Sequence, residues 1–339
     1  MSVPAEVLDN WPANTTVRPS QDGGLINDTF IVGDPPVAIL QRVNPIFEPA
    51  VHNDIEAITA HMANKGMLTP RLIPTQSGAL CVPTEDGAWR MLSFVPGSTH
   101  HTIKNLRQAA SAAKLVGEFH RATADLDHRF DFSRPGAHDT VAHMKTLETA
   151  MSAAQPGALT DSAVALGREI LDAWGHWSGT LDLPIRICHG DLKLSNLRFD
   201  TQGDRAICLL DFDTFSHQTI PVEMGDAWRS WCNPAGEDNL ADIRFDLDIF
   251  EASARAWLAA GPSLTRAERD NLVPGIERIC LELSARFCAD AIQQCYFKEN
   301  RTRFPEPGAH NLHRASGQFR LAESVRAQTI QAQTIIQNA

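Results

Sequence analysis

The chain has 339 residues, of which 43% are hydrophobic and 21% charged, a balance that excludes a disordered tail or a fibre and, at this length, predicts two packed lobes with a site at their junction. Its formal net charge of -11 argues against partners such as nucleic acid or an anionic membrane, whose binders rely on clustered Lys and Arg. No apolar run reaches the roughly 20 residues that span a bilayer and no basic-then-apolar leader is visible, so a cytoplasmic protein is expected.

Up to about residue 95 the chain reads as strands with one helix. Apolar and β-branched clusters at 27–32, 37–43, 71–74, 79–83 and 89–95 alternate with Gly, Pro and Asp punctuation. Between the second and third of these, Val51, Ile55, Ile58 and Met62 recur at helical spacing, which predicts a helix over 50–62 packed on the sheet. After Pro96-Gly97 the character turns helical. The first segment covers 106–126, where Leu106, Ala109, Ala113, Val116, Phe119 and Thr123 mark one face; others follow at about 140–154, 160–179, 240–260, 267–295 and 312–335. The expected division is therefore one lobe over 1–95 and a second over 96–339, with a hinge near 93–98. The seven cysteines form no C-x-x-C pair and read as reduced core thiols; Cys288 and Cys295 lie two helical turns apart with no histidine between them, which does not suit zinc.

Only around 185–213 does the second half read as strand and loop. Ile185-Arg186-Ile187-Cys188 is a buried strand that runs into His189-Gly190-Asp191, with Asn196 five residues beyond the aspartate. A second apolar strand, 206–210, ends in Asp211-Phe212-Asp213. Two strands thus deliver carboxylates and a carboxamide to one edge. Phosphoryl transfer needs these groups: an aspartate to orient and deprotonate the attacking hydroxyl, here Asp191, and hard oxygen ligands for magnesium, here Asn196 and Asp211 with Asp213 beside them. Lys193 stands where it could neutralise the transferring phosphoryl group, although solvated loop lysines are also common; His189 reads as a brace for the loop.

The two motifs together resemble the aminoglycoside phosphotransferase and choline kinase superfamily, which carries H-G-D-x-x-x-x-N followed by I-D-x-D or a close relative. The bland alternative, two loop aspartates capping turns, requires both motifs to arise in order by coincidence. The resemblance implies an α+β, bilobal protein-kinase-like fold with a small β-rich N-terminal nucleotide-binding lobe and a larger, mainly helical lobe for catalysis and acceptor binding. It implies ATP and Mg2+ as cofactors. Gly24, Asn27 and Thr29, within Gly23-Gly24-Leu25-Ile26-Asn27-Asp28-Thr29, would approach the nucleotide phosphates, and Phe94 and Val95 would meet adenine at the hinge. The strand lysine that pairs phosphates is absent from 37–44; Arg42 is the candidate substitute, with Glu56 on the following helix to hold it.

A narrower likeness covers nearly the whole chain. Gly24 to Phe30, Ile39 to Asn44, Trp89-Arg90, His138-Asp139-Thr140, Gly225 to Arg229, Ala285-Arg286-Phe287, Tyr296-Phe297 and Asn311 to Gln318 look like N-acetylhexosamine kinases of the anomeric type. That likeness implies an N-acetylated amino sugar as acceptor, phosphorylated at its anomeric hydroxyl. Sugar hydroxyls need planar or charged partners and an aromatic face, which Asp226, Arg229, Arg286 and Tyr296 can supply beside Asp191. Asp226 and Arg229, three apart, could equally form an ion pair on one helix face. Two other readings stand beside this one. The acid-rich stretch 200–249, with Trp228 and Trp231, would suit a cationic acceptor such as choline, ethanolamine or an aminoglycoside, and the missing strand lysine would suit an inactive nucleotide-binding regulator.

Overall fold

A computed structural model describes residues 3–12, 16–20, 26–236 and 239–339. After a single turn of helix, α1 (Ala5–Leu8), come β1 (Val17–Pro19), β2 (Asp28–Val32), β3 (Ala38–Val43), α2 (Val51–Asn64), β4 (Val82–Thr84) and β5 (Gly87–Ser93). The strands form one antiparallel sheet in the order β1-β2-β3-β5-β4. The segment expected as a strand at 71–74 contributes only an isolated bridge, Leu72 to Leu92.

Strand alternation gives this sheet two unlike faces. Phe30, Leu40, Trp89 and Met91 share the outer one, where they bury Val7 and Trp11. The indole of Trp11 pins that cover by donating to the Ile73 carbonyl at 2.8 Å. Thr29, Gln41 and Arg90 stand in register across β2, β3 and β5 on the opposite face.

Beyond the hinge the chain is mainly helical: α3 (Leu106–Thr123), α4 (Thr140–Ser152), α5 (Ala158–Gly175), α6 (Ile220–Trp231), α7 (Leu247–Ala260), α8 (Arg266–Asp270), α9 (Leu272–Gln293), α10 (Ala309–Ala327) and α11 (Thr329–Gln337). The stripe predicted on α3 is buried from Ala109 to Thr123, while Leu106 at its start is exposed. Val116 and Phe119 on it are fully buried, each stabilising the fold by about 1.5–3 kcal/mol. Asn105, Asp139 and Asp246 cap α3, α4 and α7 by accepting from backbone amides of the first turn. The cap at Asp246 starts α7 later than the apolar pattern predicts. The long helix expected over 267–295 breaks at Asn271, so that Pro274 falls in the first turn of α9, where its missing N–H costs nothing. The last helix likewise divides at Gln328, whose side chain donates to the Phe245 carbonyl.

Helices α6 and α9 cross with backbone almost touching. A Cβ on Gly275 would lie 2.1 Å from the Pro221 carbonyl oxygen, so only glycine permits the approach that brings α6 and α9 side chains to one wall. In front of this wall run two short two-stranded sheets: β6 (Ile185–Cys188) pairs with β9 (Ser216–Thr219), and the hairpin β7 (Leu197–Phe199) with β8 (Ala206–Leu209) lies between them in the chain, all antiparallel. Among the described residues no helix is long and apolar enough to cross a membrane.

Candidate active site

The loop 189–196 leaves β6 through Gly190, at φ 80, where a Cβ would sit 2.5 Å from the Thr214 carbonyl oxygen. Its backbone is held from beneath by Glu223 in the first turn of α6. One carboxylate oxygen accepts from the His189 amide at 2.7 Å and the other from the Gly190 amide at 2.9 Å. The same carboxylate meets His120 Nε2 at 3.2 Å, and the Trp257 indole donates to His120 Nδ1 at 3.1 Å. An indole N–H can only donate, so Nδ1 is bare and Nε2 carries the hydrogen given to Glu223. Burial alone would raise the Glu223 pKa, but the hydrogen bonds from His120 and the loop hold it below the usual carboxylate range. His189 braces the loop as expected, with Nε2 on the Leu210 carbonyl at 2.8 Å and Nδ1 accepting from the Asp191 amide at 3.3 Å.

Asp191 emerges from this frame partly open to the cleft. Its Oδ2 accepts from Lys193 Nζ at 2.5 Å and from Asn196 Nδ2 at 3.0 Å, while among the described residues its Oδ1 accepts nothing. Burial works against the charge on Lys193, but Asp191, Asp211 and Asp226 together raise its pKa. One ammonium therefore sits among the candidate base, a candidate metal ligand and the α6 wall.

Asn196 spends its amide nitrogen on Asp191, which leaves Oδ1 as a neutral oxygen donor. Asp211 follows β8 in a left-handed conformation, φ 64 and ψ 68. Asp211 is open to solvent along one edge, yet the protein packed around its carboxyl, then the charges of Asp213 and Asp191, push it up to about 6. A carboxylate and a carboxamide oxygen are the hard oxygen donors that suit magnesium. Asp213 does not join that set, contrary to expectation. It is buried, and its oxygens are taken by the guanidinium of Arg90 and by Asn27 Nδ2 at 2.7 Å.

Arg42 also departs from expectation. It shares the outer face with Leu40 and Trp89 and pairs with Asp28 at 2.6 Å, away from the cleft. Glu56 does not hold it but pairs with Arg71. The cation on the opposite face is Arg90, known from sequence only through the Trp89-Arg90 likeness and with no role implied for it. Asn27 is a clamp, donating to Asp213 and accepting from the Asn44 amide at 2.9 Å, and Thr29 accepts from Gln41 at 3.2 Å. His52 of α2 is buried beside this cluster, where burial and then Arg90 lower its pKa to about 4. Gly24 lies outside the described residues. Just after β5, where the hinge is expected, the Phe94 amide donates to the Val37 carbonyl and the Val95 carbonyl accepts from Arg198.

On the α6 wall Asp226 and Arg229 pair at 3.0 Å, both buried. Arg286 of α9 makes no hydrogen bond or ion pair among the described residues; its guanidinium lies over the Phe297 ring at 5.5 Å. Tyr296 is exposed, and its hydroxyl accepts from Arg134. The His138-Asp139-Thr140 stretch supplies a further group: His138, at φ 55, pairs with fully buried Glu282 at 3.1 Å, a partner not expected from sequence, and Thr140 donates to the same carboxylate. Burial opposes the charge on His138, but Glu282 lifts its pKa to about 9, while the pairing lowers Glu282 to about 2 despite its own burial.

This pair gives a pH prediction. Glu282 contributes stability above its ordinary 4.5 and loses it as pH falls towards about 2, whereas the His138 contribution is complete below 6.5 and fades as pH rises through about 9. The melting temperature should therefore decline between pH 6.5 and 9 through His138, and Glu282→Gln should flatten that decline while costing about 3 kcal/mol near pH 6. Thermal denaturation of both proteins across this range checks it.

Residues 19–261 match the family described as the phosphotransferase enzyme family, APH. The fold is similar to an aminoglycoside phosphotransferase from Alicyclobacillus acidocaldarius, at 16% identity and a TM-score of 0.65 over 98% of this chain and 97% of that one. It is similar to a choline/ethanolamine kinase family protein from Mesorhizobium loti, at 16% identity and a TM-score of 0.57 over 95% and 93% of the two chains. A third likeness is to the amicoumacin kinase hAmiN in complex with AMP-PNP, Ca2+ and Ami, at 13% identity and a TM-score of 0.57 over 93% and 88%. At these identities the solved structures speak for the fold. The family match, extending over most of the sequence, makes this chain a member of the phosphotransferase enzyme family, a small-molecule phosphotransferase that uses an alcohol group as its acceptor.

Proposed function

We propose that the chain transfers the γ-phosphoryl group of magnesium-bound ATP to a sugar hydroxyl, and that the acceptor is an N-acetylhexosamine phosphorylated at its anomeric position. The observation that carries the transfer is the placement of Lys193 among Asp191, Asp211 and Asp226, which joins base, metal ligand and acceptor wall in one electrostatic cluster. In this reading Asp191 receives the acceptor proton on its open oxygen and Lys193 offsets charge on the moving phosphoryl group. Asn196 and Asp211 would hold magnesium, which when bound neutralises charge developing on the nucleotide phosphates.

The acceptor wall favours a neutral polyol over a cation. Asp226 is already neutralised by Arg229 and Glu282 by His138, so that Arg286, which has no ion-pair partner among the described residues, leaves the wall positive. Trp228 and Trp231 cannot form a cage for a quaternary amine, since both are buried, with their indole nitrogens given to Ser253 and the Leu192 carbonyl. Asp226, Arg229, Arg286 and His138 would then meet the sugar hydroxyls and the N-acetyl group, with Tyr296 at the rim.

Magnesium-dependent ADP release should be highest with an N-acetylhexosamine in a panel that includes free hexoses, choline, ethanolamine and aminoglycosides. The product phosphate should be acid-labile, as an anomeric phosphate is. Turnover of a cationic acceptor with no N-acetylhexosamine activity would replace this reading.

A further inference from the structure

Arg90 is about 1% exposed, and its guanidinium is enclosed by protein on both sides. Nε and Nη2 donate to Gln41 Oε1 at 3.0 and 2.8 Å, Nη1 donates to Asp213 Oδ1, and Nη2 donates to Asp213 Oδ2 at 2.9 Å. Asn27, just before β2, adds its own bond to Asp213. Two strands of the sheet and the approach to a third thus converge on one carboxylate from the helical part of the chain. A cation so engaged cannot turn to a phosphate without stranding the buried charge of Asp213. Whatever Arg90 does for the reaction passes through Asp213.

Asp213 lies in the turn Phe212–Thr214, two residues beyond Asp211. A left-handed backbone at a non-glycine residue costs on the order of 1–3 kcal/mol and persists where the surroundings over-determine it. The bond from His189 to the Leu210 carbonyl fixes the chain before Asp211, and the Arg90 and Asn27 bonds to Asp213 fix it after. We infer that Arg90 is a positioning residue: through Asp213 it couples the N-terminal sheet to the loop that bears Asp211 and keeps that carboxylate aimed at the metal site.

In protein kinases a strand lysine and a helix glutamate carry the comparable coupling. Here the helix glutamate, Glu56, belongs to Arg71, and the link runs from the sheet directly to the loop. The inference rests on the assignment of Asp211 as a magnesium ligand.

The test is calorimetric titration of a non-hydrolysable ATP analogue into the full chain across magnesium concentrations, with melting temperatures measured alongside, for wild type, Arg90→Gln, Arg90→Lys and Asp213→Asn. In Arg90→Gln and Asp213→Asn the magnesium concentration for half-maximal analogue binding should rise about 10- to 100-fold, as for other groups that orient a metal ligand, while metal-free analogue affinity stays within about threefold. Arg90→Lys keeps the charge, should recover part of the effect, and serves if Arg90→Gln does not fold. A lowered melting temperature with unchanged magnesium dependence would overturn the inference, leaving Arg90 a fold-stabilising residue only. So would a loss of metal-free affinity of about tenfold or more, which would make Arg90 a direct phosphate contact. A wild-type chain without magnesium-dependent analogue binding would overturn the ligand assignment itself, and this inference with it.

Discussion

Replacing Asp191 by Asn is expected to lower kcat about 10^3-fold while ATP affinity stays within about threefold, because the change removes the proton acceptor and its charge but keeps the shape of the side chain. The side chain keeps its shape, and its amide oxygen can still accept from Lys193 or Asn196, which hold Oδ2 at 2.5 and 3.0 Å. What is lost is the open oxygen as a base, together with the negative charge that keeps Lys193 anchored. Single-turnover kinetics beside equilibrium binding of an ATP analogue separate the two effects. A loss of nucleotide affinity that accounts for the whole drop in rate would move Asp191 out of the base role. A rate close to wild type would point to a mechanism that needs no protein base at all.

The second large effect is expected at Glu223, which touches neither substrate nor metal in the proposed mechanism. Truncation to Ala should destabilise the chain by about 3–5 kcal/mol, because the amides of His189 and Gly190 and the Nε2 hydrogen of His120 lose their common acceptor inside the protein. The folded fraction should also turn over about 10^2-fold more slowly, since the loop that presents Asp191 hangs from those two amides and small misplacements of a reacting group carry penalties of that size. Glu223→Gln retains one acceptor but sets an amide N–H2 against the remaining donors, so it should fall between wild type and Ala on both measures. Chemical denaturation gives the stability, and active-site titration with kcat gives the rate per folded molecule. If kcat per folded molecule is unchanged in Glu223→Ala, the carboxylate supports the fold without aiming the base.

Trp257, His120, Glu223 and the loop 189–196 thus form one chain of hydrogen bonds running from α7 through α3 and α6 to the end of β6. Every donor in it has a definite acceptor, which is the condition for a buried polar network to rigidify rather than weaken a core. Although His120, Cys188 and Glu223 cluster closely enough to hold a metal, the hydrogen bonds already use the imidazole and carboxylate atoms that a metal would need.

Local order was legible where chemistry and period coincide in a short stretch. The strand before His189, the polar turn after it, the second strand ending at Asp211 and the apolar stripe of α3 could all be read from neighbouring residues, because apolar runs bounded by polar turns have few ways to fold. The same stretches supplied the family resemblance. Strand parity could also be read, since Arg42 has the parity of Leu40 and must share its face. Which face looks into the cleft could not, because that depends on Val7 and Trp11 covering the outer face from far along the chain.

The partners of each charged group were likewise undetermined. Asp213 looked as free as Asp211 until Arg90, 123 residues earlier, closed on it, and Glu223 was one acid among many until His120, 103 residues away, met it beneath the loop. The sequence by itself points to most of the helices and strands, though not to α6 or β9, and to the family resemblance and the candidate groups for phosphoryl transfer. Only the tertiary structure decided that Arg90 rather than Arg42 faces the loop carrying Asp211 and Asp213, and that Asp213 is bound while Asp191 keeps an open oxygen. The physical reason is that a buried charge is governed by what it pairs with across space, and neither parity nor spacing along the chain carries that information.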